Sequence, residues 1–262
     1  MNDLRDGIER LAQSCGGTVS VSVRDISKAF DFSFNADAPI VAASTIKVPI
    51  MIETLKQARD GRISLSTEYV LRKTGRVAGS GVISQLSDGL LLTIRDLLTL
   101  MIIVSDNTAT NMLIDIVGMS SVNATMQAMG YKGLTLRRKM YDWDAVAQGV
   151  DNRVVAAEMA DLLARMARGV LLGSEEDALA LQIMRGQLYN HILGLFLPEG
   201  VLANKTGQVG TALNDCGIVA TDQFSYAVAI FTQDTDCLGE TQIAVSRMSK
   251  LICDAAACKN CG

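Results

Sequence analysis

Ser44-Thr45-Ile46-Lys47 places a lysine one helical turn after a serine, in a chain whose only histidine is His191. Such a pair can do nucleophilic chemistry without an imidazole, because a lysine kept neutral can accept the hydroxyl proton. Two more motifs follow in order, Ser105-Asp106-Asn107 and Lys205-Thr206-Gly207. The trio offers a nucleophile, an amine base, a hydroxyl that relays protons and a cationic clamp for an anionic acyl substrate. A Ser-His-Asp triad or a histidine-built metal centre would have to rest on His191, which stands in no motif.

Each motif alone has a plainer explanation. Ser44 stands where an extended run gives way to a helix, so a simple N-cap would account for it. Ser105 or Asp106 could cap the helix that opens at Thr108. Lys205-Thr206-Gly207 ends a strand, where glycine lets another backbone come close. Lys73-Thr74-Gly75 repeats the last motif but precedes the second, in a glycine-rich loop, and reads as a turn. The three motifs in this order are far rarer by chance than any one of them.

The elements that must position these residues are strands toward both ends of the chain and helices between them. Leu4, Ile8, Leu11 and Ala12 repeat at helical spacing, and Val19, Val21 and Val23 alternate as in a half-buried strand. Phe30, Phe32 and Phe34 continue the alternation after a hairpin turn at residues 25–28. Helical patterns run over 44–60, with Pro49 in the first turns, then over 93–104, 108–117, 120–129, 154–168 and 175–188. Strands return at 202–206, 217–221 and 226–232, and a last helix spans 240–256. The economical assembly is an α+β fold: one antiparallel sheet built from both termini, flanked by terminal helices, with an inserted all-α region. Residues 1–43 and 189–262 would form the α/β part and 44–188 the helical part of a single catalytic unit.

Composition narrows the class. The 262 residues are 49% apolar with a net charge of −4 and no basic run, which speaks against a nucleic-acid partner. Apolar stretches such as 97–104 are too short to span a bilayer. The first residues lack a secretory pattern, so a cytoplasmic location is expected, or a periplasmic or secreted one if a signal was trimmed. Of the six cysteines, Cys258 and Cys261 form a C-x-x-C at the extreme terminus, a weak metal signal read here as a tail of no catalytic importance.

Ala43-Ser44-Thr45-Ile46-Lys47-Val48 and Ile103-Val104-Ser105-Asp106-Asn107-Thr108-Ala109-Thr110-Asn111 resemble the helix segments of class A serine β-lactamases and the wider penicillin-binding-protein superfamily. The resemblance covers most of the chain. It implies that Ser44 forms an acyl-enzyme, that Lys47 is the base and that Ser105 passes a proton to the leaving nitrogen. It further implies that Asn107 holds a side-chain amide of the substrate and that Lys205, Thr206 and Gly207 bind its carboxylate end. The backbone N–H groups of Ser44 and Gln208 would form the oxyanion hole, and Asp106 would be structural. A small β-lactam or peptide-like substrate, a monomer, and no cofactor or metal are expected.

Two departures from the family pattern stand out. Class A enzymes carry a Glu-x-x-Leu-Asn loop whose glutamate orients the water that frees the acyl-enzyme. Here no glutamate occurs between Gly130 and Ala157, which leaves Asp142 and Asp144 as possible deacylation bases, or as turn and cap residues. The arginine that many members place after the Lys-Thr-Gly strand is also missing, and Arg247 is the candidate to replace it.

Overall fold

Strands from both ends of the chain meet in one sheet, and the helices sort themselves by the face they cover. The computed structural model describes residues 2–26 and 30–259. In chain order its elements are α1 (Asn2–Gln13), β1 (Thr18–Asp25), β2 (Phe32–Phe34), β3 (Pro39–Val41), a 3-10 turn (Ala43–Ile46) and α2 (Lys47–Arg59). Next come β4 (Glu68–Val70), a second 3-10 turn (Ile83–Gln85), β5 (Leu91–Thr93), α3 (Ile94–Ile103), α4 (Asn107–Val117), α5 (Met119–Ala128) and α6 (Trp143–Ala147). The rest are β6 (Arg153–Val155), α7 (Ala156–Ala167), α8 (Ser174–Arg185), β7 (Leu202–Val209), β8 (Ala212–Ala220), β9 (Ser225–Gln233) and α9 (Leu238–Lys259).

The main sheet has the order β2-β1-β9-β8-β7, with every neighbouring pair antiparallel. Side chains on a strand alternate between faces, and β9 shows what each face meets. Tyr226, Val228 and Ile230 are buried with Leu4 and Ile8 of α1 and Val245, Met248 and Ile252 of α9. Ala227, Ala229 and Phe231 join the other core, with Met159, Leu162 and Leu163 of α7. That second core continues into the helical region, where Val48, Ile50, Met51 and Ile52 of α2 are all fully buried. An apolar run covered on every side marks α2 as the central helix. Among the described residues, no helix is long and apolar enough to cross a membrane.

The expected α+β architecture is the one observed, with differences at short elements. Val154 and Val155, read as the start of a helix, pair instead with Ile40 and Pro39 in a small β3–β6 sheet, and the helix begins at Ala156. Two adjacent β-branched residues favour the extended form when a partner strand is available. The β4–β5 pair and α6 are too brief to leave a periodic signal. Phe30 is buried but precedes β2, and residues 27 and 28 of the expected hairpin turn lie outside the described residues. Cys261 of the terminal C-x-x-C also lies outside them.

Candidate active site

Ser44 sits on the 3-10 turn rather than capping a helix: neither this turn nor α2 has a side-chain cap. With three residues per 3-10 turn, residues i and i+3 eclipse, so Ser44 and Lys47 share a side. Ala43, just before Ser44, holds φ +45°, a strained conformation for a residue with a Cβ. The turn is fixed from several sides. Thr45 Oγ1 donates to the Ala42 carbonyl at 2.6 Å, Ala42 N–H donates to Asn152 O at 2.9 Å, and Asn214 Nδ2 donates to Val41 O at 2.8 Å.

Strand β7 runs directly against this turn. A Cβ at Gly207 would lie 2.8 Å from the Ser44 nitrogen and 3.0 Å from that of Thr45, both backbone atoms that cannot swing aside. Glycine is therefore what lets the strand close the site. Gly207→Ala is expected to cost about 1–3 kcal/mol through overpacking and to misalign the Ser44 and Gln208 N–H groups. A lower thermal midpoint together with slower penicillin labelling checks this.

The Lys47 amine is the hub of a buried polar cluster. It lies 2.7 Å from Ser105 O, 3.0 Å from Ser105 Oγ and 2.9 Å from Asn107 Oδ1. The amine donates to all three oxygens, and in the neutral form one of its three N–H positions becomes a lone pair. Burial holds Lys47 well below the usual lysine range, the Lys205 charge pushes the same way, and Asp106 opposes them. Lys205 Nζ completes the chain, donating to Ser105 Oγ at 3.1 Å and to Thr206 O at 2.8 Å. Burial lowers Lys205 to about 8, against the pull of Asp215 and then Cys216. Burial also raises Asp215 to about 7, although it accepts from Leu193 N–H and Asn204 Nδ2 and faces Lys205.

The segment 105–107 presents Ser105 and Asn107 because Asp106 anchors it. Asp106 Oδ1 accepts from Ala109 N–H as the N-cap of α4, while Oδ2 accepts from Val82 and Ile83 N–H. Asn107 Nδ2 gives one of its two protons to Ala78 O.

Ser44 opens onto a cleft with two halves. One, of about 210 Å³, is lined by Ser44, Asn107, Met140, Tyr141, Trp143 and Gln208, among others. The other, of about 190 Å³, includes Ser105, Tyr189, His191, Thr206 and Gly207. The structure thus gathers Ser44, Lys47, Ser105, Asn107, Lys205, Thr206, Gly207 and Gln208 around one point. His191 and Tyr189 join them unannounced, carried in by the irregular segment between α8 and β7.

The loop 138–152 forms the outer wall of the first half. Arg138 pairs with Asp151 at 2.8 Å, and Asn152 Oδ1 accepts from the N–H groups of Arg137 and Arg138. Asn111 of α4 grips Met140 at both backbone groups, at 3.0 and 2.8 Å. Met140 consequently lines the cleft. Asp142 caps α6 by accepting from Ala145 N–H, and Asp144 is exposed on that helix. Neither aspartate lines either half, and no Asp or Glu does among the described residues. Arg247 lies along the groove between α1 and α9 with Leu11 and Ile243, away from the cleft. The Lys73-Thr74-Gly75 repeat is exposed and contributes nothing to the cleft.

Known proteins share this fold. A family model described as the beta-lactamase enzyme family matches residues 3–256. A beta-lactamase from Sphaerobacter thermophilus superposes with a TM-score of 0.91 at 30% identity, covering 97% of each chain. PBP-A superposes with a TM-score of 0.88 at 24% identity, over 97% of this chain and 96% of that one, a likeness of fold. A curated relative, the beta-lactamase regulatory protein BlaB of Streptomyces cacaoi, is 28% identical over 143 residues. That match spans 53% of this chain and 44% of the relative's length. Because the family model matches nearly the whole chain, and a structure 30% identical superposes throughout, the chain belongs to the beta-lactamase enzyme family.

Proposed function

We propose that the chain is a serine hydrolase in which Ser44 opens β-lactams, or related amides and esters, to an acyl-enzyme that is released slowly. The observation that carries the proposal is the buried chain Lys47–Ser105–Lys205 beside the nucleophile. Neutral Lys47 takes the Ser44 hydroxyl proton as Oγ bonds to the carbonyl carbon, and the displaced electron pair moves onto the carbonyl oxygen. The Ser44 and Gln208 N–H groups hold that oxyanion. The pair then returns, the C–N bond breaks, and the nitrogen takes the Ser105 hydroxyl proton. Ser105 is refilled from the Lys47 ammonium, which restores the neutral base. Asn107 holds the acyl-side amide, while Lys205, Thr206 and Gly207 face the carboxylate in the half-cleft that also contains His191.

Release needs a water deprotonated on the open face of the ester, and among the described residues no carboxylate lines the cleft. This observation favours a second reading, an acylated sensor read out by a partner, and the name of the Streptomyces cacaoi relative points the same way. A D-Ala-D-Ala peptidase or esterase that β-lactams merely inhibit shares the acylation half of the mechanism. A chromogenic cephalosporin distinguishes these readings. The expected trace is a burst stoichiometric with protein followed by a slow leak. Fast steady turnover would contradict slow release, and absence of any burst would contradict the serine chemistry itself.

A further inference from the structure

We propose that Tyr141 and Trp143 form an aryl-binding subsite at the acyl end of the cleft, so that preferred substrates carry an aromatic ring on the acyl side chain. The inference rests on the acylation of Ser44 proposed above.

Trp143, the only tryptophan in the chain, is 54% exposed and Tyr141 is 40% exposed, yet both line the half-cleft that contains Ser44. Their rings meet edge-on, with centroids 5.4 Å apart and planes at 71°, an arrangement that leaves a face free for a third ring. Tyr141 also holds φ +65°, a conformation a bulky residue adopts only where its surroundings impose it. Two backbone ties impose it here: Trp143 N–H donates to Tyr141 O, and Asn111 grips Met140 just before it.

Gly79 links this ring to the reacting centre. A Cβ there would fall 2.6 Å from Tyr141 Cε2, 2.9 Å from its hydroxyl and 2.8 Å from Asn107 Nδ2. The tyrosine ring and the Asn107 amide therefore crowd the same spot, and they coexist because Gly79 has no side chain. Asn107, Tyr141 and Trp143 line the same half-cleft, so a substituent on an amide held at Asn107 has the two rings within that half. The half-cleft of about 210 Å³ runs from Ser44 and Asn107 to the two rings, with Met140 and Val209 as its other apolar walls. Charge suits a neutral substituent. The one charged group lining this half is Arg138, whose guanidinium is already paired with Asp151 at 2.8 Å. An acidic or basic acyl side chain would find no free partner there.

The test compares acylation by benzylpenicillin with acylation by an otherwise identical penicillin bearing a methyl group in place of the benzyl. Rates are followed by intact mass and, in the native chain, by tryptophan emission, which reports on Trp143 alone. The benzyl compound is expected to acylate about tenfold faster, with a change in emission during the reaction. Trp143→Ala and Tyr141→Ala, each followed by mass, are expected to bring the ratio of the two rates close to one. Equal rates in the native chain, or a ratio that survives both substitutions, would overturn the subsite while leaving acylation of Ser44 intact. Faster reaction with a carboxylate-bearing side chain would overturn it too. No adduct from any of these compounds would overturn the acylation reading, and the subsite with it.

Discussion

Lys47→Ala is expected to slow acylation of the protein by penicillins by about 10²–10⁴-fold, the range for losing a positioned general base. The amine is wholly buried and meets Ser105 Oγ, Ser105 O and Asn107 Oδ1 within 3.0 Å. No other neutral base is built into this cluster, since Lys205 is tied to Thr206 O and lies beyond Ser105. Lys47→Met, which keeps most of the volume, separates loss of the base from collapse of the site, and it is expected to be equally slow while still folded. The pH profile carries a sign. Burial lowers the Lys47 pKa, so the neutral, competent form prevails above that value. Acylation should therefore hold as pH rises past it and decline as pH falls through it. A mutant that acylates at the native rate, with its fold verified by circular dichroism, would remove Lys47 from the mechanism.

Met140→Glu is expected to have the opposite character, a gain of about 10²–10⁴-fold in deacylation. Met140 is the loop residue that Asn111 clamps and that faces the cleft, so a carboxylate there would look onto the ester. Conversion of a persistent penicilloyl adduct into a transient one, seen by time-resolved mass spectrometry, checks this. Asp142→Asn and Asp144→Asn are expected to leave the native adduct's lifetime unchanged, because Asp142 is engaged with Ala145 N–H and Asp144 faces outward. A lifetime that lengthens in either variant would return that aspartate to the role of base.

The fold was legible where periodicity is long. The valines of β1 and the apolar stripes of α3 and α4 are buried where their spacing places them, but β1 is covered on both faces, with Ser20 and Ser22 fully buried, where alternation implied one buried face, and α2 is buried all round. It was illegible where pairing is decided across the chain, as when Val154 and Val155 join Ile40 and Pro39. Three residues carry too little pattern to announce a strand. At the site, the motif residues could be found because their patterns are local, and Asp106, expected to be structural, accepts from Val82 and Ala109 N–H. The walls of the cleft could not be read. Met140, Tyr141 and Trp143 look like core residues by type, and the irregular chain that brings His191 beside Thr206 has no period at all. Arg247 shows the converse: a plausible cation by type, placed by α9 on another side of the molecule.

The most direct measurement is peptide mapping by mass spectrometry after incubation with benzylpenicillin. The account predicts one long-lived penicilloyl adduct per chain, on the peptide that contains Ser44, and none in Ser44→Ala. An adduct on another residue, or undiminished labelling of a folded Ser44→Ala protein, would contradict it.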